Sequence, residues 1–99
     1  MIKIEVQKDN ISIHGHAMYD DYGKDIVCAA VSSVITTSVE SIASFDEKAI
    51  DVENNKDNLI IVIKKHDMIT DKLINTMINL LKELESKYPK NIKITNKEE

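Results

Sequence analysis

The sequence predicts one α+β domain with elements in the order β-β-α-β-β-α-β, in which a mixed or antiparallel sheet carries two helices. Three patterns lead there. Apolar and polar residues alternate from Ile2 to Ile13; apolar residues recur every three or four positions from Val27 to Phe45 and from Ile69 to Leu84; and Leu59 to Ile63 is apolar throughout. The 99 residues suffice for one core and not two. No repeat, linker or low-complexity stretch divides them, so residues 1–99 form a single unit.

The elements follow in order. Ile2, Ile4 and Val6 alternate with Lys3, Glu5 and Gln7, the period of a half-buried strand. Asp9-Asn10 signals a turn, and Ile11 and Ile13 continue the alternation in a second strand, making a hairpin that Gly15 ends. From Ile26 to Phe45 the period becomes helical. Val27, Val31, Ile35, Val39 and Ile42 form the apolar stripe, extended by Val34 and Phe45, with Ser33, Thr37, Glu40, Ser41 and Ser44 on the other side. Asp25 is placed to cap this helix, and Thr36 and Thr37 lower its propensity, so packing must hold its middle.

Ala49–Glu53 and Leu59–Lys65 are the next strands, separated by the turn composition Asn54-Asn55-Lys56-Asp57-Asn58. The apolar run Leu59 to Ile63 is expected to be the most buried strand. In the second helix Ile69, Leu73, Met77, Leu80 and Leu84 define the inner face, with Ile74, Ile78 and Leu81 beside it. Asp67 or Thr70 caps its start and Tyr88-Pro89 ends it. Asn91–Thr95 forms a short last strand, and residues 96–99 are expected to fray.

Composition narrows the function. The basic residues number 13, all Lys, against 17 acidic, for a formal net charge of −4. Without the guanidinium fork that grips phosphate bidentately, the chain is not expected to bind nucleic acid directly. No apolar run approaches the roughly 20 residues of a membrane span. Met1-Ile2-Lys3-Ile4-Glu5 lacks a signal-peptide core, so no membrane partner and a cytoplasmic location are expected. The sole cysteine, Cys28, excludes an intramolecular disulfide and a Cys-rich zinc site.

Chemistry concentrates where the glycines are. Gly15 and Gly23, the only two in the chain, bracket His16-Ala17-Met18-Tyr19-Asp20-Asp21-Tyr22, which has neither helical nor strand period. With Asp25 as cap, Cys28 falls at the third helical position, where unpaired backbone N–H groups and the helix dipole favour thiolate. The Asp25 carboxylate acts in the opposite sense. A thiol nucleophile also needs a base, and His16 is the available one.

Other accounts of these residues stand beside this one. Cys28 is equally the residue type of a small buried apolar side chain. His14 and His16, two apart on a strand, would share a face and hold a metal if Cys28 or Asp20 completed the set, with His66 an exposed loop histidine rather than a ligand. Ser32 lies one turn beyond Cys28 but on a helix, not on a Gly-x-Ser-x-Gly elbow, and no Gly-rich phosphate loop occurs.

The blocks Gly15-His16-Ala17 and Gly23-Lys24-Asp25-Ile26-Val27-Cys28-Ala29-Ala30-Val31-Ser32, at this spacing, resemble the Prp family of ribosomal-processing cysteine proteases, the YsxB-like proteins. The similarity covers nearly the whole chain. By position it implies that Cys28 is the nucleophile and His16 its general base and acid, with Asp25 and Ser32 close by. It further implies a homodimer that removes the N-terminal extension of large-subunit ribosomal protein twenty-seven after an aromatic pair. No metal or organic cofactor is implied. By the same resemblance Ala17–Lys24 corresponds to a mobile active-site loop; in this sequence Gly15 and Gly23 can absorb its hinge angles, and Tyr19 or Tyr22 can pack against substrate. One departure is Glu40, where relatives often carry Asn. Two other classes of function remain: a non-catalytic ribosome-associated interaction module, and a metal-binding domain using His14, His16 and Cys28.

Overall fold

The computed structural model describes residues 1–15, 26–55 and 58–97. Strands β1 (Ile2–Val6) and β2 (Asn10–His14) pair antiparallel, with Ile4 opposite Ile13 and Val6 opposite Ile11. Gln7 N–H donates to the Asn10 carbonyl at 2.9 Å, so Asn10 belongs to β2 rather than to the turn before it. Helix α1 (Ile26–Phe45) leads to β3 (Ile50–Asn55) and β4 (Asn58–Ile63), then α2 (Met68–Lys87) and β5 (Ile92–Asn96). The sheet order is β3-β4-β2-β1-β5; β5 runs parallel to β1 and the other neighbours are antiparallel, so the sheet is mixed.

The core lies between one sheet face and the two helices. Ile4, Ile11, Ile13, Ile61 and Ile92 of the sheet are buried with Val31, Ile35 and Ile42 of α1 and Ile74, Met77 and Leu81 of α2. Because the described helices cover only one face, the apolar run of β4 is not uniformly buried. Ile61 and Ile63 point into the core, while Ile60 and Val62, on alternate positions, face away and stay half-exposed.

The β3–β4 turn is tighter than the sequence suggested. Asn54 pairs with Leu59 and Asn55 with Asn58, so three of the five polar residues join the ladder. At the far end of β4, the N–H groups of Lys64 and Lys65 both donate to the Ala49 carbonyl, at 2.8 and 3.2 Å, and the strand stops at Ile63.

Both helices have apolar arcs wider than one contact strip. In α2 the buried line is Thr70, Ile74, Met77 and Leu81, which leaves Ile69 and Leu80 at the exposed margin rather than on the inner face. Asp67 is the cap: its carboxylate accepts from Thr70 N–H at 2.8 Å, an interaction that lowers its pKa. Tyr88 closes the other end through its N–H to the Leu84 carbonyl.

In α1 Phe45 lies 57% exposed, beyond the point where the stripe meets the sheet. This helix is long and apolar enough to cross a membrane by length and composition, contrary to the sequence expectation, because its polar positions are almost all Ser or Thr and only Glu40 is charged. Here Val31, Ile35 and Ile42 seat it on the sheet. The last strand also extends further than expected. Asn96 pairs with Val6, and Lys97 N–H donates to the Val6 carbonyl at 2.8 Å, so fraying does not begin at residue 96.

Candidate active site

The end of β2 delivers the chain toward the start of α1. Gly15 sits there at φ 74°, the left-handed region, and a Cβ at this position would lie 2.6 Å from the Met1 carbonyl oxygen. Both the angle and the close approach require glycine. Gly15 therefore fixes the end of β2 in a conformation that other residues cannot adopt. His16, the Ala17–Lys24 segment with Tyr19, Tyr22 and Gly23, and the expected cap Asp25 lie outside the described residues.

Helix α1 begins at Ile26, which makes Cys28 its third residue, as the sequence predicts. Cys28 is half-buried. It sits in the first turn of α1, at the N-terminal end of the helix dipole. Ser32 follows one turn later and is exposed. Glu40 lies twelve residues beyond Cys28, about 18 Å along the axis at 1.5 Å per residue, too far to touch the thiol.

Beside Ser32 a cleft of about 180 Å³ opens between α1 and the β3–β4 hairpin. Its walls are Ile13, Val31, Ser32, Ile35, Thr36, Asn54 and Leu59. Sequence reasoning found Ser32 but missed Asn54 and Leu59. They reach this place only through pairing: Asn54 stands opposite Leu59, and Leu59 opposite Ile13.

The other candidates are dispersed. His14 is a half-buried residue of β2, alternate to Ile13, so it projects from the sheet face away from the helices while Cys28 belongs to the helical layer. His66 is at the opposite end of the sheet. Its Nε2 lies 2.8 Å from an Asp9 carboxylate oxygen and its Nδ1 2.9 Å from one of Asp71, and hydrogen bonds to these carboxylates, Asp9 first, raise its pKa. Among the described residues no group of three His, Cys, Asp or Glu side chains is placed to hold a metal ion.

Known proteins share both the fold and the chain. The Ribosomal processing cysteine protease Prp of Staphylococcus aureus (strain Mu50) is 30% identical over 91 residues, covering 89% of this chain and 86% of its own. The protein of the same name from Mycoplasma genitalium is 33% identical over 96 residues, covering 95% and 94%. The crystal structure of S. aureus Prp with a covalently linked product peptide aligns with a TM-score of 0.81 and 26% identity over 97% of both chains. The same enzyme with a substrate peptide gives 0.76 and 27% over the same shares. A family model described as Cysteine protease Prp matches residues 1–93, so with the five-stranded sheet, the paired helices and a cysteine in the first turn of α1, the chain belongs to the cysteine protease Prp family.

Proposed function

We propose that this protein is a cysteine endopeptidase that removes the N-terminal extension of large-subunit ribosomal protein twenty-seven, cutting after an aromatic pair, in support of ribosome assembly. The observation that carries the reading is Cys28 in the first turn of α1, within a fold whose S. aureus relative has been captured with a covalently linked product peptide. His16 takes the thiol proton, and the thiolate sulfur attacks the scissile carbonyl carbon. The resulting oxyanion accepts hydrogen bonds from first-turn backbone N–H groups. Collapse breaks the C–N bond, with His16 protonating the leaving amine, and leaves the extension as a thioester on Cys28. Water, deprotonated by His16, then releases the extension as a carboxylate. Asp25 and Ser32 support this centre from either side of Cys28 in sequence.

The chain's net charge of −4 suits a basic ribosomal tail, and such a substrate places the reaction in the cytoplasm. A homodimer is the working assembly: a 99-residue domain with an aromatic content of 4% has a modest core, and association covers leftover apolar surface.

The test is cleavage of a synthetic peptide spanning the extension, read by mass spectrometry. The expected result is one cut after the aromatic pair. Replacing both aromatic residues of the peptide by Ala is expected to lower kcat/KM by at least about 100-fold, because two rings leave the binding surface. Equal cleavage of the two peptides would show the substrate to be wrong.

A further inference from the structure

We propose that the hollow between the β1–β2 turn and α2 is a binding site for a small aliphatic monocarboxylate, with Lys8 and Gln7 taking the carboxylate and a floor of isoleucines taking the chain. The site is separate from Cys28 and does not depend on the reading of that residue.

Place comes first. The hollow lies where β1 ends, β2 begins and α2 makes its opening turns, and its volume is about 310 Å³. Strand β2 runs from Asn10 beside it to His14, so it opens at the end of the sheet away from Gly15. It shares no lining residue with the cleft beside Ser32.

Size follows. An apolar cavity of about 150 Å³ holds the carbons of one benzene molecule, so a hollow of about 310 Å³ takes about twelve non-hydrogen atoms. That is the scale of a small molecule.

The floor then sets the body of the ligand. Ile11, Ile63 and Ile74 are buried core residues and Ile78 is half-buried, so the hollow reaches the core. No aromatic residue lines it, and branched aliphatic walls suit an alkyl chain.

The rim sets the head group. It carries Gln7, Lys8, His66, Asp71 and Asn75. His66 ties down both neighbouring carboxylates, Asp9 through Nε2 at 2.8 Å and Asp71 through Nδ1 at 2.9 Å. Lys8 has no ion-pair or hydrogen-bond partner among the described residues. Gln7 accepts from the Asn10 amide with its Oε1, at 3.5 Å, which leaves its NH₂ group to donate, and the Asn75 amide is unengaged among the described residues. The rim therefore holds one unspent cation beside amide donors, above an aliphatic floor. What complements it is an acceptor with a single negative charge on an alkyl chain, which is a carboxylate.

The experiment titrates the ¹⁵N-labelled protein with octanoate, octanamide and octylamine, three eight-carbon chains with anionic, neutral and cationic heads. Octanoate is expected to shift the amides of Ile63, His66, Asn75 and Ile78 saturably, with a Kd below about 1 mM. Octanamide and octylamine should bind at least about fivefold more weakly, for want of a charge-assisted bond to Lys8. Lys8→Gln, at an exposed position, is expected to weaken octanoate by at least about fivefold and leave octanamide unchanged. Ile78→Phe, which fills the hollow from α2, should abolish binding of all three. Shifts absent or centred elsewhere, octanamide or octylamine binding as tightly as octanoate, or unchanged octanoate binding in Lys8→Gln would each overturn the proposal. Lys8→Gln leaves the core untouched, so the test stands even where Ile78→Phe fails to fold.

Discussion

At the scale of single residues, Gly15 and Cys28 carry different kinds of consequence. A Cβ at Gly15 meets backbone, which cannot rotate away, and the residue also holds a positive φ. Gly15→Ala is expected to destabilise the fold by about 2 kcal/mol, or roughly 10 °C in Tm by thermal melting. Cys28→Ala is different: it keeps good helix propensity and removes little volume, so the melting temperature should stay within a few degrees of wild type. The thiol's reactivity is the sharper observable. A first-turn thiolate should react with iodoacetamide at pH 7 faster than N-acetylcysteine does, whereas a packed structural cysteine would react more slowly. A slow Cys28 would favour the non-catalytic interaction module. The sequence already indicated Cys28 because the helix start was legible from Ile26 onward, and Gly15 because it broke a clear alternation.

At the scale of elements, periodicity made β1, α1 and the α2 cap legible, but not how wide arcs settle against neighbours. The α2 stripe could rotate either way on sequence grounds; contact with the sheet selected Thr70, Ile74, Met77 and Leu81. The cleft beside Ser32 was illegible because it depends on Asn54 and Leu59 standing opposite each other, a matter of register that polar turn residues do not announce. The His66 contacts were hidden for the same reason: His66 reaches Asp9 of the β1–β2 turn, 57 positions away, and Asp71 of α2. A neutral imidazole has one N–H, so hydrogen bonds to both Asp9 and Asp71 require the imidazolium. Its pKa is raised from the ordinary 6.5, so the stabilisation is fully present below pH 6.5 and is lost as pH rises through the higher folded value. Thermal melts of wild type and His66→Gln should therefore differ most in mildly acidic buffer and converge above that value. A difference that is constant with pH would exclude the charged form. In the centre of the sheet, Ile11→Ala empties a fully buried position and should cost about 2–5 kcal/mol, read from the midpoint of urea unfolding.

At the scale of the whole molecule, the helices, the thiol and the cleft lie in one layer on one sheet face, and among the described residues no helix packs on the other face. Sedimentation equilibrium at micromolar concentration is expected to give about twice the 11.2 kDa chain mass. A single 11.2 kDa species would remove the homodimer while leaving the site intact. The account depends above all on Cys28 being the atom that attacks a peptide bond. The direct measurement compares cleavage of the extension peptide by wild type and by the folded Cys28→Ala variant under identical conditions. The expected result is a single cut by the wild type and a rate at least about 10⁴-fold lower in the variant, the scale of losing a covalent nucleophile. Equal rates would contradict the account, whatever bond is cut.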